Sequence, residues 1–146
     1  VMRWEPYFHK VQYYETDGMG IVHHSNYIRW FEEARVDFLA QIGMPFEQVE
    51  ARGIVSPVLK VSCDYKSMAR FGETVRIMVS VKGYTGAKLF LSYQIEDAAS
   101  GMLRCAGESS HGFLSDGRPV SLRRAAPDYD GILRALPHDN ERHEEG

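Results

Sequence analysis

Tyr27-Ile28-Arg29-Trp30-Phe31-Glu32-Glu33-Ala34-Arg35-Val36-Asp37-Phe38-Leu39-Ala40-Gln41-Ile42 is the stretch on which the reading of the fold turns. Its apolar residues recur at helical spacing, with Tyr27, Trp30, Phe31, Ala34 and Phe38 on one line and Ile28, Leu39 and Ile42 on an adjoining one. Ser25 or Asn26 can cap its start, and Gly43 with Pro45 ends it. A helix apolar over more than one narrow stripe cannot lie on a surface with one face wet. It has to be covered by the dry face of a sheet.

The sheet is legible on both sides of that helix. Before it, residues 8–14 are rich in aromatics and read as a first strand. After it, a short helix from Pro45 to Arg52 leads into alternating runs. Leu59, Val61, Cys63 and Tyr65 form one; Val75, Ile77, Val79 and Val81 the next; Leu89, Leu91, Tyr93 and Ile95 the third. A fourth runs from Leu103 to Leu114 and ends at the Ser115-Asp116-Gly117-Arg118-Pro119 turn. Glycine-bearing turns separate the runs, which suits an antiparallel meander. Gly107 and Gly112 inside the last run mark a bulge or a close backbone approach. Residues 128–136 read as a short terminal helix. The expectation is an α+β fold: a curved, antiparallel five-stranded sheet wrapped around one long central helix. A sheet with two edges and an outer face to protect predicts a homodimer at least.

The 146 residues, 44% hydrophobic and 25% charged, suffice for one domain without disulfide or metal staples. Residues 1–136 are read as that domain and residues 137–146 as a charged, disordered tail. Seventeen basic against twenty acidic residues leave a net charge of −3, which gives no general field for nucleic acid. No stretch is long and apolar enough for a membrane span, and the start lacks an apolar leader core, so the expected location is cytoplasmic. Cys63 and Cys105 have no CxxC or metal spacing and read as buried free thiols in a reducing compartment.

The densest polar cluster is the link between the first strand and the long helix, Tyr14-Glu15-Thr16-Asp17-Gly18-Met19-Gly20-Ile21-Val22-His23-His24-Ser25-Asn26. A carboxylate on such a loop can act as a general base toward water or attack a carbonyl. Unpaired N–H groups at the helix start can polarise the carbonyl it attacks. Together they suit acyl transfer or hydrolysis. Taken alone, Asp17-Gly18 is a plain turn and His23 and His24 are polar cap residues. The adjacent histidines point apart, and only His111 or a distant carboxylate could join them, so no metal site is expected. Gly107-Glu108-Ser109-Ser110-His111-Gly112 is not a nucleophile elbow, because GxSxG needs glycine where His111 stands. No P-loop and no GxGxxG are present.

Tyr14-Glu15-Thr16-Asp17, followed by Gly20-Ile21-Val22-His23-His24-Ser25-Asn26-Tyr27 and Trp30-Phe31-Glu32-Glu33-Ala34-Arg35, resembles the hotdog-fold acyl-CoA thioesterases of the 4-hydroxybenzoyl-CoA thioesterase and YbgC-like type. The resemblance runs on through Tyr65 and Ala69-Arg70-Phe71-Gly72-Glu73, over about residues 8–132. It implies hydrolysis of an acyl-CoA to free acid and coenzyme A, with no metal or cofactor. Asp17 matches the catalytic carboxylate, as nucleophile or general base. The backbone N–H near His24 matches the group that polarises the thioester carbonyl. Tyr14 and the His24 side chain match polar neighbours of the site. Asn26 and Tyr27 fall at substrate-contacting positions, and Lys66, Arg70 and Lys88 are candidates for the coenzyme A phosphates. The resemblance also implies a site at a dimer interface, with dimers pairing into a homotetramer. Met68, where many relatives carry proline, and Lys88, where they often carry serine or threonine, depart from the pattern. Two other functions stay open: a hydratase or dehydratase on 3-hydroxyacyl thioesters, and an acyl-thioester binding protein without turnover.

Overall fold

The computed structural model describes residues 4–138. In chain order the elements are β1 (Tyr7–Lys10), a 3-10 turn (Tyr13–Glu15), α1 (Ser25–Gln41), α2 (Phe46–Ala51), β2 (Ile54–Val55), β3 (Val58–Tyr65), β4 (Thr74–Tyr84), β5 (Leu89–Asp97), β6 (Leu103–His111), β7 (Leu114–Ser115), β8 (Arg118–Pro119), α3 (Leu122–Ala125) and α4 (Pro127–Ala135). Five strands form one antiparallel sheet in the order β1-β4-β5-β6-β3. Val75, Ile77, Val79 and Val81 of β4 and Leu89, Leu91, Tyr93 and Ile95 of β5 are buried on its inner face. There they meet Trp30, Phe31, Ala34 and Phe38 of α1, and the Phe31 ring stacks on Tyr93 at 4.3 Å. The line of Tyr27, Trp30, Phe31, Ala34 and Phe38 thus finds the dry face the alternation promised, whereas the adjoining line is covered only in part: Ile42 is buried, Leu39 half-buried and Ile28 exposed, so one side of α1 stays open in the single chain.

Several details differ from the sequence reading. The first strand stops at Lys10, because residues 13–15 turn into a 3-10 helix whose Glu15 points inward. The four later strands are not a simple meander. Only β4, β5 and β6 follow one another; β1 takes the edge beside β4, so β3 crosses to the far edge beside β6. Neither Ser25 nor Asn26 caps α1. The Ser25 hydroxyl is engaged with His23 Nδ1, and the Asn26 amide reaches back to the Glu15 carbonyl. The last long run breaks at Gly112-Phe113, and its end pairs as β7 with β2 and β8 in a second, three-stranded sheet. The link between β7 and β8 is Asp116-Gly117, both at positive φ, the conformation a two-residue hairpin turn needs. The expected charged tail lies almost wholly outside the described residues.

Gly107 is the close approach anticipated for that strand. A Cβ there would sit 2.4 Å from the Ser62 carbonyl oxygen and 2.6 Å from the Phe31 ring. Gly107→Ala should therefore cost about 3 kcal/mol, a drop of roughly 10 °C in Tm by thermal melt. Gly112 is different, since its Cβ would make only ordinary contact with Leu59.

The inner face also holds a buried polar chain. His111 is fully buried; its Nε2 lies 2.7 Å from Ser109 Oγ, which lies 2.7 Å from the Tyr93 hydroxyl. Arg35 Nη1 donates toward His111 Nδ1 at 3.3 Å, so the ring proton belongs on Nε2. Burial, and the facing Arg35 guanidinium, push the His111 pKa down to about 4. The unfolded chain therefore binds a proton that the folded one refuses between about pH 6.5 and 4. Stability should fall as pH drops through that window, by about 3 kcal/mol in all. His111→Gln, which cannot titrate, should flatten the fall in a Tm-against-pH series.

Candidate active site

The loop between the 3-10 turn and α1 is fastened at both ends. Thr16 bridges Val22, and Asp17 N–H donates to the Ile21 carbonyl at 3.0 Å. Gly18 and Gly20 carry φ of +92° and +76°, which lets five residues turn back within that bridge. Beneath it lies Glu15. Its Oε1 accepts from Gln12 N–H and pairs with His9 Nε2, each at 2.8 Å, and its Oε2 accepts from Trp30 Nε1 at 2.7 Å. Burial pulls the Glu15 pKa up, but the Gln12 N–H, His9 and Trp30 together outweigh it and hold the carboxyl below its usual range. The Glu15 carbonyl accepts from His23 N–H and from Asn26 Nδ2, both at 2.9 Å. One residue therefore secures the two ends of the loop and the first turn of the helix.

Asp17 is exposed. Its carboxylate accepts one hydrogen bond, from Met19 N–H at 3.2 Å, and makes no ion pair among the described residues. His24 precedes the first helical residue, and among the described residues its backbone N–H has no acceptor. Its carbonyl is held by the Tyr65 hydroxyl at 3.1 Å. Asp17, His24, Tyr27, Tyr65 and Lys66 line one cavity of about 420 Å³. The Tyr27 ring is buried there, and its hydroxyl accepts from Ala69 N–H at 3.0 Å. An exposed acid and the residue that carries a free N–H at the start of a 17-residue helix thus line one space. Such a pair can deliver a base or nucleophile to a carbonyl carbon while an N–H holds its oxygen.

The other sequence candidates fall elsewhere. Tyr14 is 80% exposed and does not line this cavity. Asn26 is buried and ties the loop to the helix. Arg70 is exposed on the neighbouring segment, where its backbone bridges Ile21. Lys88 sits before β5, at the opposite end of the sheet from Lys66. Leu89 registers with His111 and Val58, whereas Tyr65 registers with Cys105 and Ile95. Lys88 and Lys66 lie one residue beyond these positions, so about eight residues of strand, or roughly 26 Å, separate the two lysines within one chain. Among the described residues no three His, Cys, Asp or Glu side chains converge as metal ligands, and no helix is long and apolar enough to cross a membrane.

Two positioning groups escape a reading of the sequence. Glu15 sits in the motif, but nothing in its spacing says that it turns inward to Trp30. Arg104 looks like any charged residue in an alternating strand. It is in fact buried, with Nη2 3.3 Å from Glu73 and Nη1 3.1 Å from Ser67 Oγ, holding the segment that walls the cavity beside Lys66.

The family model of the thioesterase-like superfamily matches residues 11–136. The chain belongs to that superfamily. It is 34% identical over 122 residues to the Bacillus subtilis protein named "Putative acyl-CoA thioesterase YneP", covering 82% of this chain and 88% of that one. Against the acyl-CoA thioester hydrolase YbgC of Escherichia coli O157:H7 the identity is 26% over 94 residues, 64% of this chain and 70% of the other. The solved DHNA-CoA thioesterase of Staphylococcus aureus superposes with a TM-score of 0.85 at 29% identity, over 89% of this chain and 88% of that one. The α+β architecture of this superfamily member is the hotdog fold that the loop motif implies.

Proposed function

We propose that the chain is an acyl-CoA thioesterase that releases free acid and coenzyme A at the Asp17 cavity. The observation that carries this is that exposed Asp17 and His24, whose backbone N–H has no acceptor among the described residues, line the same cavity in a member of the thioesterase-like superfamily. Asp17 either attacks the thioester carbonyl or takes a proton from an attacking water. In both routes the carbonyl oxygen gains negative charge as the C–S bond weakens, and the His24 N–H at the positive end of α1 stabilises it. Coenzyme A leaves as a thiolate and is protonated by solvent; where Asp17 is the nucleophile, water then cleaves the Asp17–acyl anhydride, which frees the acid and restores the carboxylate. Residues 1–136 act as one catalytic domain.

A homodimer completes the site. β3 is an edge strand of eight residues, and Val58, Leu59 and Val61 stand exposed on it, Leu59 at 53%. An uncovered apolar edge of that length calls for a partner strand. A two-fold copy pairs antiparallel, which brings the Val58 end of one β3 beside the Tyr65 end of the other. Lys88 of the second copy then approaches Lys66 and Arg70, and the basic residues that one chain separates can serve one coenzyme A. Dimers pair further into a tetramer through remaining surfaces.

The deciding experiment is a screen of short, medium, long and aromatic acyl-CoAs, following thioester absorbance and free coenzyme A thiol. Thiol release on at least one class is expected. Consumption of an enoyl or 3-hydroxyacyl thioester without thiol release indicates a hydratase instead, and binding without turnover indicates a carrier. In sedimentation the chain should run at twice or four times 16.6 kDa, and Leu59→Glu should shift it to the monomer and abolish turnover.

A further inference from the structure

Behind the Tyr65 wall of the cavity, two sulfur atoms meet. Cys63 Sγ and Cys105 Sγ are 2.7 Å apart, against about 2.05 Å for a bonded pair. Both are free thiols; Cys105 is fully buried, whereas Cys63 on edge strand β3 is partly exposed, contrary to the expectation of two buried thiols. Neither takes part in the chemistry proposed above. Cys63 and Tyr65 are two residues apart on one strand, so their side chains share a face. The Tyr65 ring packs 5.4 Å from Tyr27 and 6.2 Å from His24, and its hydroxyl holds the His24 carbonyl. The sulfur pair is thus one strand position from the group that fixes the start of α1.

We propose that Cys63 and Cys105 are a reversible dithiol–disulfide pair, oxidised by hydrogen peroxide, whose closure lowers turnover at the neighbouring site. The effect on turnover rests on the thioesterase reading; the formation of the bond does not. Cys63, the less buried sulfur, gives up its proton and attacks one peroxide oxygen as thiolate; the O–O bond breaks, hydroxide leaves and takes up that proton as water, and a sulfenic acid remains. Cys105 sulfur then attacks Cys63 sulfur, the S–O bond breaks, and hydroxide departs with the Cys105 proton as a second water. Two thiols lose two electrons and one peroxide is reduced to two waters. Burial, and the hydrogen bond with Cys63, hold the Cys105 thiol protonated, which suits it to the second step rather than the first.

The register supplies the coupling. Cys63 stands opposite Gly107 and Cys105 opposite Tyr65, so the two cysteines are diagonal neighbours. Closing the sulfurs from 2.7 Å to the roughly 2.05 Å of a bond draws β3 toward β6 at Cys63, and Tyr65, two residues along on the same face, shifts with it relative to the His24 carbonyl that its hydroxyl holds.

The test uses the full chain, reduced and then exposed to peroxide, read by intact mass, by thiol titration in denaturant and by kcat/KM from thioester absorbance. The expected result is a mass lower by two hydrogens, joint loss of both thiols, a several-fold fall in kcat/KM and recovery with a phosphine reductant. Cys63→Ser and Cys105→Ala should each keep their basal turnover and resist the peroxide-induced fall. Two thiols still free after treatment that oxidises the unfolded chain would overturn the pair. So would a bond that leaves kcat/KM unchanged, or an equal fall in Cys105→Ala, which would make a Cys63 sulfenic acid sufficient. If the reduced chain hydrolyses no acyl-CoA, the functional reading fails, while mass and thiol count still decide whether the bond forms.

Discussion

Replacing Asp17 by asparagine should lower kcat about 10³-fold while leaving the protein folded. The carboxylate is exposed and accepts a single hydrogen bond, from Met19 N–H, which an amide oxygen can accept equally well. The substitution removes charge and basicity and little else, so Tm should stay within about 1–2 °C of the parent. Steady-state kinetics on the best acyl-CoA from the screen, with a parallel thermal melt, measures both. His24→Ala provides the contrast. The group assigned to the thioester oxygen is the backbone N–H, which alanine retains, so the loss should be no more than about tenfold. Near-parental turnover in Asp17→Asn would remove Asp17 from the chemistry, and an equally deep loss in His24→Ala would place the imidazole in it.

Glu15→Ala should be the most destabilising substitution in the loop. It strips the acceptor from Trp30 Nε1, from Gln12 N–H and from His9 at once, and Trp30 is fully buried. Leaving a buried donor unpaired costs about 1–3 kcal/mol, so the three together cost roughly 3–5 kcal/mol, because His9 and Gln12 can recover water. A fall in Tm of more than about 10 °C follows. Glu15→Gln retains an oxygen for Trp30 and should lie between the two. Because the Glu15 carbonyl also anchors His23 and Asn26, the glutamine variant should lose kcat more than it gains KM, even where it is fully folded. The depressed pKa of Glu15 gives a second signature. Its contribution is complete above the unfolded carboxyl value and is lost as pH falls through the lower folded value.

The long helix and the strands were legible because each has a period that its neighbours in space do not alter. Trp30, Phe31, Ala34 and Phe38 recur every three or four residues, and Val75 to Val81 every two; both sets are buried as their spacing requires. Strand order was not legible. Alternation says which face of β3 is dry, not which strand lies beside it, and the crossover to β6 follows from β1 occupying the place beside β4. The two Asp-Gly pairs make the same point at the site. Asp116-Gly117 is a hairpin turn and Asp17-Gly18 is part of a wider loop onto the cavity, although the dipeptides are identical. What separates them is Glu15, whose inward turn is fixed by His9 and Trp30 from elsewhere in the chain.

By itself, the sequence determined the α+β class, the helix that must be covered, the polar loop at its start and the acid that loop carries, all of which depend on residues close together along the chain. The tertiary structure decided the rest: that Asp17 and His24 line one cavity, that Tyr65 and Glu15 hold the loop and helix in place, that Lys88 lies far from Lys66 in one chain, and that two cysteines 42 residues apart touch. These are consequences of strand register and of packing between distant segments, and local periodicity carries no information about either.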